Sequence, residues 1–553
     1  MREKTARNPY LIRDLFTLAI CALAVCIICL LVDLLFLELR VTAQAVSDIV
    51  VALPAFFALC YGCVRIWGSG NKFAAALTVA VFVISLGVQL GFVLIQHRPL
   101  LPHDMGLLID GIGMIRYIPM NIIRFFLKPI VISVIGMAVL SFLFWKIRHV
   151  FLAFHSSRLP ILTPAALFAF GVIYYLLPNN AWHLINCPII LRIPLMTTSW
   201  FIRDNFVYRG PRDKPENLEI IKEPAARHII FIVDESVGGK YLGINGYPSN
   251  TTPFLESMQG EFFNYGQCCS AANLSQNSNL VLVSGLTKNQ LPDRNQAVMR
   301  QPSIFAYAKK AGFQTYYLDV QGYSRGNSIY PRDFADFTMQ KIQAKHFFDR
   351  DIQSVVHLRN LIDQSEEPTF TYVLKAGIHY GYENKIPPAY YPDALPERGH
   401  VPELYHRAIR WTVDEFFTSL ERAMRGKDVL VVYTSDHGQN FLGDGSAPHG
   451  AGQNAPIDQA NVPLIIWPFS EKVRQAFEGC GGYVPEMRDR AWHFQFFPTL
   501  LQLFGYRSDD VVKRYGDGLF QKPPEKRFFV SGKLFDEFGK DYWETYLNDF
   551  RLN

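Results

Sequence analysis

Val429-Leu430-Val431-Val432-Tyr433-Thr434-Ser435-Asp436-His437-Gly438 is an apolar run that stops in a carboxylate, an imidazole and a glycine. Val429 to Tyr433 shows no polar alternation, so it reads as a strand buried on both faces, as in parallel sheets. The polar end reads as the loop into which such a strand delivers functional groups. Its chemistry is that of a metal site or a hydrolase. An adjacent Asp and His are also ordinary turn formers, so the rest of the chain has to decide.

Other segments share the pattern. His228–Val233, Gln314–Val320, Phe370–Leu374 and Val462–Trp467 are short apolar runs. Between them lie helical patterns, the clearest over Leu404–Met424, where Ile409, Val413, Phe416, Phe417, Leu420 and Met424 recur at helical spacing. That aromatic stripe is core, not a cofactor box. Strands alternating with helices predict an α/β sandwich with a mainly parallel sheet.

Polar residues recur at the same strand ends. The first strand ends in Asp234-Glu235-Ser236 and the third is followed by Gly377-Ile378-His379-Tyr380-Gly381. Asp436-His437-Gly438 follows the fourth, and Pro448-His449-Gly450 lies in the next loop. Two carboxylates and three histidines on one edge make an oxygen and nitrogen donor set suited to Zn²⁺. Singly, Glu235 is a helix-start residue, His379 a core histidine and His449 a loop residue. Their joint occurrence points to a site.

The chain has 553 residues, too long for one typical domain, and its composition changes along its length. Residues 1–178 hold five apolar stretches, Leu15–Val32, Ile49–Val64, Phe73–Ile95, Pro129–Trp145 and Ile161–Leu177. Each approaches the ~20 residues that span a bilayer, so five transmembrane helices are predicted. Arg2, Lys4, Arg7 and Arg13, then Arg65 and Lys72, then Lys146, Arg148 and Arg158 fall on one side, which is therefore cytoplasmic. The segment Gln96–Lys128 also carries basic residues and reads as an amphipathic stretch on the outer face. Everything after Leu177 is then external. Residues 179–215, with Trp182 and Trp200 followed by Arg209-Gly210-Pro211-Arg212, read as an interfacial helix and linker. Residues 216–553 form the globular domain.

Five of the nine cysteines sit in the predicted spans as small apolar residues. Cys187, Cys268, Cys269 and Cys480 face the outside, where disulfides form, with pairing left open. A formal net charge of +5 is too slight for nucleic-acid binding and belongs to membrane topology.

Ile232-Val233-Asp234-Glu235-Ser236, Leu242-Gly243-Ile244-Asn245-Gly246-Tyr247, Thr252-Pro253, Thr434-Ser435-Asp436-His437-Gly438 and His449-Gly450 resemble the membrane-bound phosphoethanolamine transferases of the alkaline phosphatase and sulfatase superfamily. The resemblance covers the whole chain. It implies an N-terminal five-helix transmembrane domain plus a C-terminal α/β sandwich of alkaline phosphatase/sulfatase type, in a bacterial inner membrane with the catalytic domain periplasmic. It implies transfer of phosphoethanolamine from phosphatidylethanolamine, among membrane lipids, to a lipid-linked or other envelope glycan such as lipid A, lipopolysaccharide core or periplasmic glucan. The family nucleophile is usually a Thr; matching Ser278, Ser284 and Leu286 to the family pattern puts Ser275 there, with Ser270 and Ser278 as competitors. A Ser hydroxyl does the same chemistry when its pKa is lowered. By the same resemblance Glu235, Ser275, Asp436 and His437 surround one Zn²⁺ or another divalent ion, while His379 and His449 match positions for the phosphoryl group or a second ion. Phosphoglycerol transfer, or sulfatase or phosphodiesterase hydrolysis, are the alternatives on the same scaffold. No Cys/Ser-x-Pro-x-Arg motif occurs near residues 268–280, which argues against a sulfatase. A non-catalytic envelope module is the remaining alternative.

Overall fold

The computed structural model describes residues 211–552, apart from 294–296, 323–335, 380, 391–400, 442–447, 451–453, 532–533 and 535–546, together with isolated positions before residue 199. Two compact units divide the chain, Met1–Val207 and Tyr208–Asn553. In the first, the expected spans Leu15–Val32, Ile49–Val64 and Ile161–Leu177 and the segment Gln96–Lys128 lie outside the described residues. Phe73, Ala80, Ile84, Ser85, Gly87, Val88 and Gln89 are helical, as are Val131, Val134 and Ile135. Ile193 and Leu195–Thr198, in the stretch read as interfacial, are helical too. Among the described residues no helix is long and apolar enough to cross a membrane.

The second unit is built on a sheet of β1 (His228–Asp234), β2 (Phe263–Cys269), β3 (Gln314–Asp319), β4 (Thr338–Lys341), β5 (Thr369–Leu374), β6 (Val429–Ser435) and β7 (Asn461–Pro468), in the order β2-β7-β6-β1-β5-β3-β4. β1 pairs parallel with both β5 and β6, and β3 with both β4 and β5; β7 runs antiparallel to β6 and β2. β1 is buried along its whole length, which its unbroken apolar sequence dictates.

Alternation of side chains across the sheet divides the core. Ile229, Phe231 and Val233 share one cluster with residues of the helices Ile304–Lys310 and Phe496–Leu503. Ile230 and Ile232 share the other with residues of Arg350–Gln364, Val401–Ile409 and Phe416–Met424. Each buried side chain of this size contributes about 1.5–3 kcal/mol of transfer free energy. The globular part is the expected α/β sandwich with a mainly parallel sheet.

Three details differ from the sequence reading. Phe263–Cys269 is a strand although it holds Asn264, Gly266 and Gln267, because it forms an edge with a register shift between Asn264 and Gln267. The helix expected over Leu404–Met424 begins at Val401 and is interrupted by a π turn at Arg410–Glu415. Cys268, Cys269 and Cys480 are free thiols, while Cys187 lies outside the described residues.

Candidate metal centre

β1 and β6 lie side by side with Val233 opposite Thr434 and Asp234 opposite Ser435. The two chains therefore leave the sheet together, carrying Glu235 and Asp436 off the same edge. With His437 they bring one ligand atom each to within 4.8 Å of one another, all three residues buried. Ser236 sits at φ 61°, a left-handed conformation that costs a non-glycine residue energy. It ties the two strand ends: its backbone N–H donates to Asp436 Oδ1 (3.0 Å) and its hydroxyl to Glu235 Oε1 (2.8 Å).

The donor set fits a cation. Asp436 Oδ1 also accepts the His437 N–H (2.7 Å), whereas Oδ2 is buried without a hydrogen-bond partner. His437 Nδ1 lies 2.9 Å from the Gly438 carbonyl. With Nδ1 held at that carbonyl, Nε2 faces Glu235 Oε1, 3.4 Å away, donating to it when the ring is protonated and free to bind a cation when it is not. Burial would raise Glu235, yet its bond to His437 and the charges of His437 and His379 hold it well below the carboxylate range. Burial and the neighbouring Glu235 charge lift Asp436 to about 7. Burial favours neutral His437, but Asp436 and Glu235 outweigh it and push the imidazole up to about 9. A field that holds a proton on His437 is the field into which a divalent ion would be drawn.

Ser275 opens the helix Ser275–Ser284, whose residues from Asn277 onward are buried. Its Oγ lies 3.2 Å from His437 Nε2 and 3.4 and 3.3 Å from the two Glu235 oxygens. Ser270 and Ser278 are turned elsewhere, each donating its hydroxyl to the Ala272 carbonyl, at 2.6 and 3.0 Å. The His449 ring stacks on His437 (centroids 4.4 Å apart) and meets His379 edge-on (5.2 Å), so the three imidazoles form a row. Burial and the charges of His437 and His379 keep His449 neutral, its pKa well below the usual imidazole value. All six residues expected at the site are thus brought to one edge of the sheet.

Other groups there were missed. Lys375, directly after β5, is fully buried with Nζ 2.5 Å from Asp234 Oδ2 and 3.8 Å from Asp351. Asp234 Oδ1 accepts the Glu235 N–H (2.9 Å) and Oδ2 accepts the Tyr433 hydroxyl (2.9 Å). Gln321 Nε2 donates to Glu235 Oε2 and to the Lys375 carbonyl, both at 3.0 Å. A lysine ending a buried run such as Thr369–Leu374 is itself a sign of a buried anion; nothing local marks Gln321.

The loop after β5 passes so close to Glu235 that only glycine fits. At Gly377, φ is +51°, and an added Cβ would stand 2.5 Å from the Glu235 carbonyl oxygen and 2.6 Å from Asp234 Oδ1. Gly377→Ala is expected to lower stability by about 1–3 kcal/mol and to weaken metal retention. Thermal unfolding and metal analysis of the purified variant check this.

The family profile described as Sulfatase matches residues 227–506, just over half of the chain. Kdo(2)-lipid A phosphoethanolamine 7''-transferase of Salmonella typhimurium is 24% identical over 326 residues, which cover 55% of this chain and 54% of the relative. Phosphatidylethanolamine transferase Mcr-1 of Escherichia coli is 24% identical over 311 residues, covering 52% and 55%. The chain therefore spans about half the length of the curated relatives it matches. The integral membrane protein lipooligosaccharide phosphoethanolamine transferase A from Neisseria meningitidis superposes with a TM-score of 0.57 over 92% of this chain and 98% of that one, at 16% identity, which shows a shared fold. With its match starting at the residue before β1 and taking in the whole seven-stranded sheet, the chain belongs to the sulfatase family.

Proposed function

We propose that this chain transfers phosphoethanolamine from phosphatidylethanolamine to an envelope glycan of the lipid A or lipopolysaccharide-core class, through a covalent adduct on Ser275. The observation that carries the proposal is the Ser275 hydroxyl, within 3.2–3.4 Å of both His437 and Glu235 at the start of a buried helix. The names of the two curated relatives, both transferases, support it. Residues 1–178 form the five-span anchor with a cytoplasmic N-terminus, residues 179–215 the interfacial helix and linker, and residues 216–553 the periplasmic catalytic domain. The donor is a lipid, and a membrane anchor raises its effective concentration at the site.

Zn²⁺ is the ion proposed for Glu235, Asp436 and His437, where it would lower the pKa of a nearby hydroxyl and offset phosphate charge. Glu235 accepts the Ser275 hydrogen bond and so orients Oγ. The helix N-terminus beneath carries the partial positive charge that seats a phosphoryl group. Ser275 Oγ attacks phosphorus, the bond from phosphorus to the diacylglycerol oxygen breaks, and diacylglycerol leaves with a proton. The acceptor hydroxyl then attacks the same phosphorus, loses its proton and returns Ser275 to its free form. His449 and His379, in line with His437, face the phosphoryl oxygens or hold a second ion.

The test compares hosts expressing the wild-type chain or Glu235→Gln, with lipid A, core oligosaccharide and periplasmic glucans analysed by mass spectrometry. A phosphoethanolamine increment on one fraction, present only with the wild type, is expected. A phosphoglycerol increment, or free ethanolamine phosphate with unmodified glycans, overturns the reading.

A further inference from the structure

Among the described residues, a nearly buried lysine at this edge has no ion-pair partner. Lys385, at the end of the short turn Tyr382–Lys385 that follows His379, is 7% exposed. Among the described residues its ammonium makes no hydrogen bond and no ion pair; its close contact is the Phe347 ring, with Nζ 3.6 Å from the centroid. The Arg350 guanidinium lies 4.7 Å from the same ring.

Both cations are tied to the site. Arg350 donates to the Gln321 carbonyl (2.8 Å), and Gln321 donates to Glu235. On the other side Gln439 Nε2 donates to the Tyr382 hydroxyl (2.8 Å), and Gln439 Oε1 lies 3.2 Å from His449 Nδ1. The turn is thus fastened to both the Glu235 and the His449 sides. Three carboxylates send charge to Lys385: Glu235 is already engaged by Ser236, Gln321 and Ser275, Asp351 by the Ala376 and Gly377 N–H groups with Lys375 nearby, and Glu383, in the same turn, acts most weakly and forms no ion pair with it. Burial lowers the Lys385 pKa to about 8, against the pull of Glu235 and Asp351. A cation kept this way is costly unless an anion arrives from outside the chain.

We propose that Lys385, with Arg350 beside it, forms an oxyanion subsite that binds a phosphoryl group of the substrate next to the Glu235–Asp436–His437 centre. The inference rests on the site handling phosphoryl groups, not on the acceptor or on transfer over hydrolysis. One charge-assisted contact of about 1.5–3 kcal/mol corresponds to about 10- to 100-fold in affinity.

Inorganic phosphate is titrated calorimetrically into the zinc-loaded full chain in detergent. Lys385→Met is expected to weaken binding at least about tenfold, Lys385→Arg to restore most of it, and zinc content to stay at the wild-type level. Labelled phosphatidylethanolamine in mixed micelles then separates the sources. If adduct formation without acceptor needs about tenfold more lipid, the subsite holds the donor phosphoryl group; if only discharge onto a phosphorylated acceptor slows, it holds the acceptor phosphate. Wild-type phosphate affinity in both Lys385→Met and Lys385→Gln overturns the inference. Lys385-dependent phosphate binding with no lipid adduct in the wild type would sink the transferase proposal and leave the subsite standing.

Discussion

Ser275→Ala is expected to lower phosphoethanolamine transfer by about 10³- to 10⁶-fold, the range seen when a covalent nucleophile is removed. The change deletes a single oxygen. The backbone anchor of the helix start, in which Asn279 Nδ2 donates to the Ser275 carbonyl (2.9 Å), is untouched. Glu235 and His437 keep their other partners, so metal content and thermal unfolding should match the wild type. Single-turnover mixing with labelled phosphatidylethanolamine should give no protein-bound label. Ser275→Thr, which keeps a hydroxyl, should retain adduct formation. An alanine variant that still labels would move the nucleophile elsewhere.

The second large effect is on stability. Lys375→Met is expected to destabilise the globular unit by about 3–5 kcal/mol, because it strands the Asp234 carboxylate in a fully buried position. It also removes the donor to the Thr412 carbonyl and the cation 4.1 Å from the Phe416 ring centroid. Burial raises Asp234 to about 6 even against Lys375. An acid whose folded pKa exceeds its unfolded value loses stability as pH rises between the two. Without Lys375 the folded value climbs further. The deficit of the variant should therefore widen as pH rises above about 6, where Asp234 ionises in the wild type but stays protonated in the variant, which thermal unfolding at several pH values measures. Asp234→Asn combined with Lys375→Met should recover part of the loss, since neither charge is then buried alone.

The strands that frame the site were legible because each is an uninterrupted apolar run. The sequence marks Val429–Tyr433 and the strand spans Val429–Ser435; it marks Val462–Trp467 and the strand spans Asn461–Pro468. Glu235, Asp436 and His437 were legible because they end such runs. Phe263–Cys269 was not, since an edge strand with a bulge need not carry a buried pattern. Nor was the π turn at Arg410–Glu415: its Thr412 carbonyl is met by Lys375, 37 residues away in sequence, and such a partnership leaves no local trace. Gln321, Gln439 and Lys385 are set by the same long-range geometry.

The pairing of β1 with β6 has a consequence for when chemistry can begin. Ser236 and Asp436 meet across a separation of 200 residues. The ligand set does not exist until that long loop has closed, a slow and entropically costly event in a growing chain. An ion that recognises only the closed arrangement stabilises the finished fold alone. A half-made chain, lacking the joined strand ends, could not hold such an ion, so an ion bound there would act as a checkpoint on assembly as well as aid the chemistry proposed above.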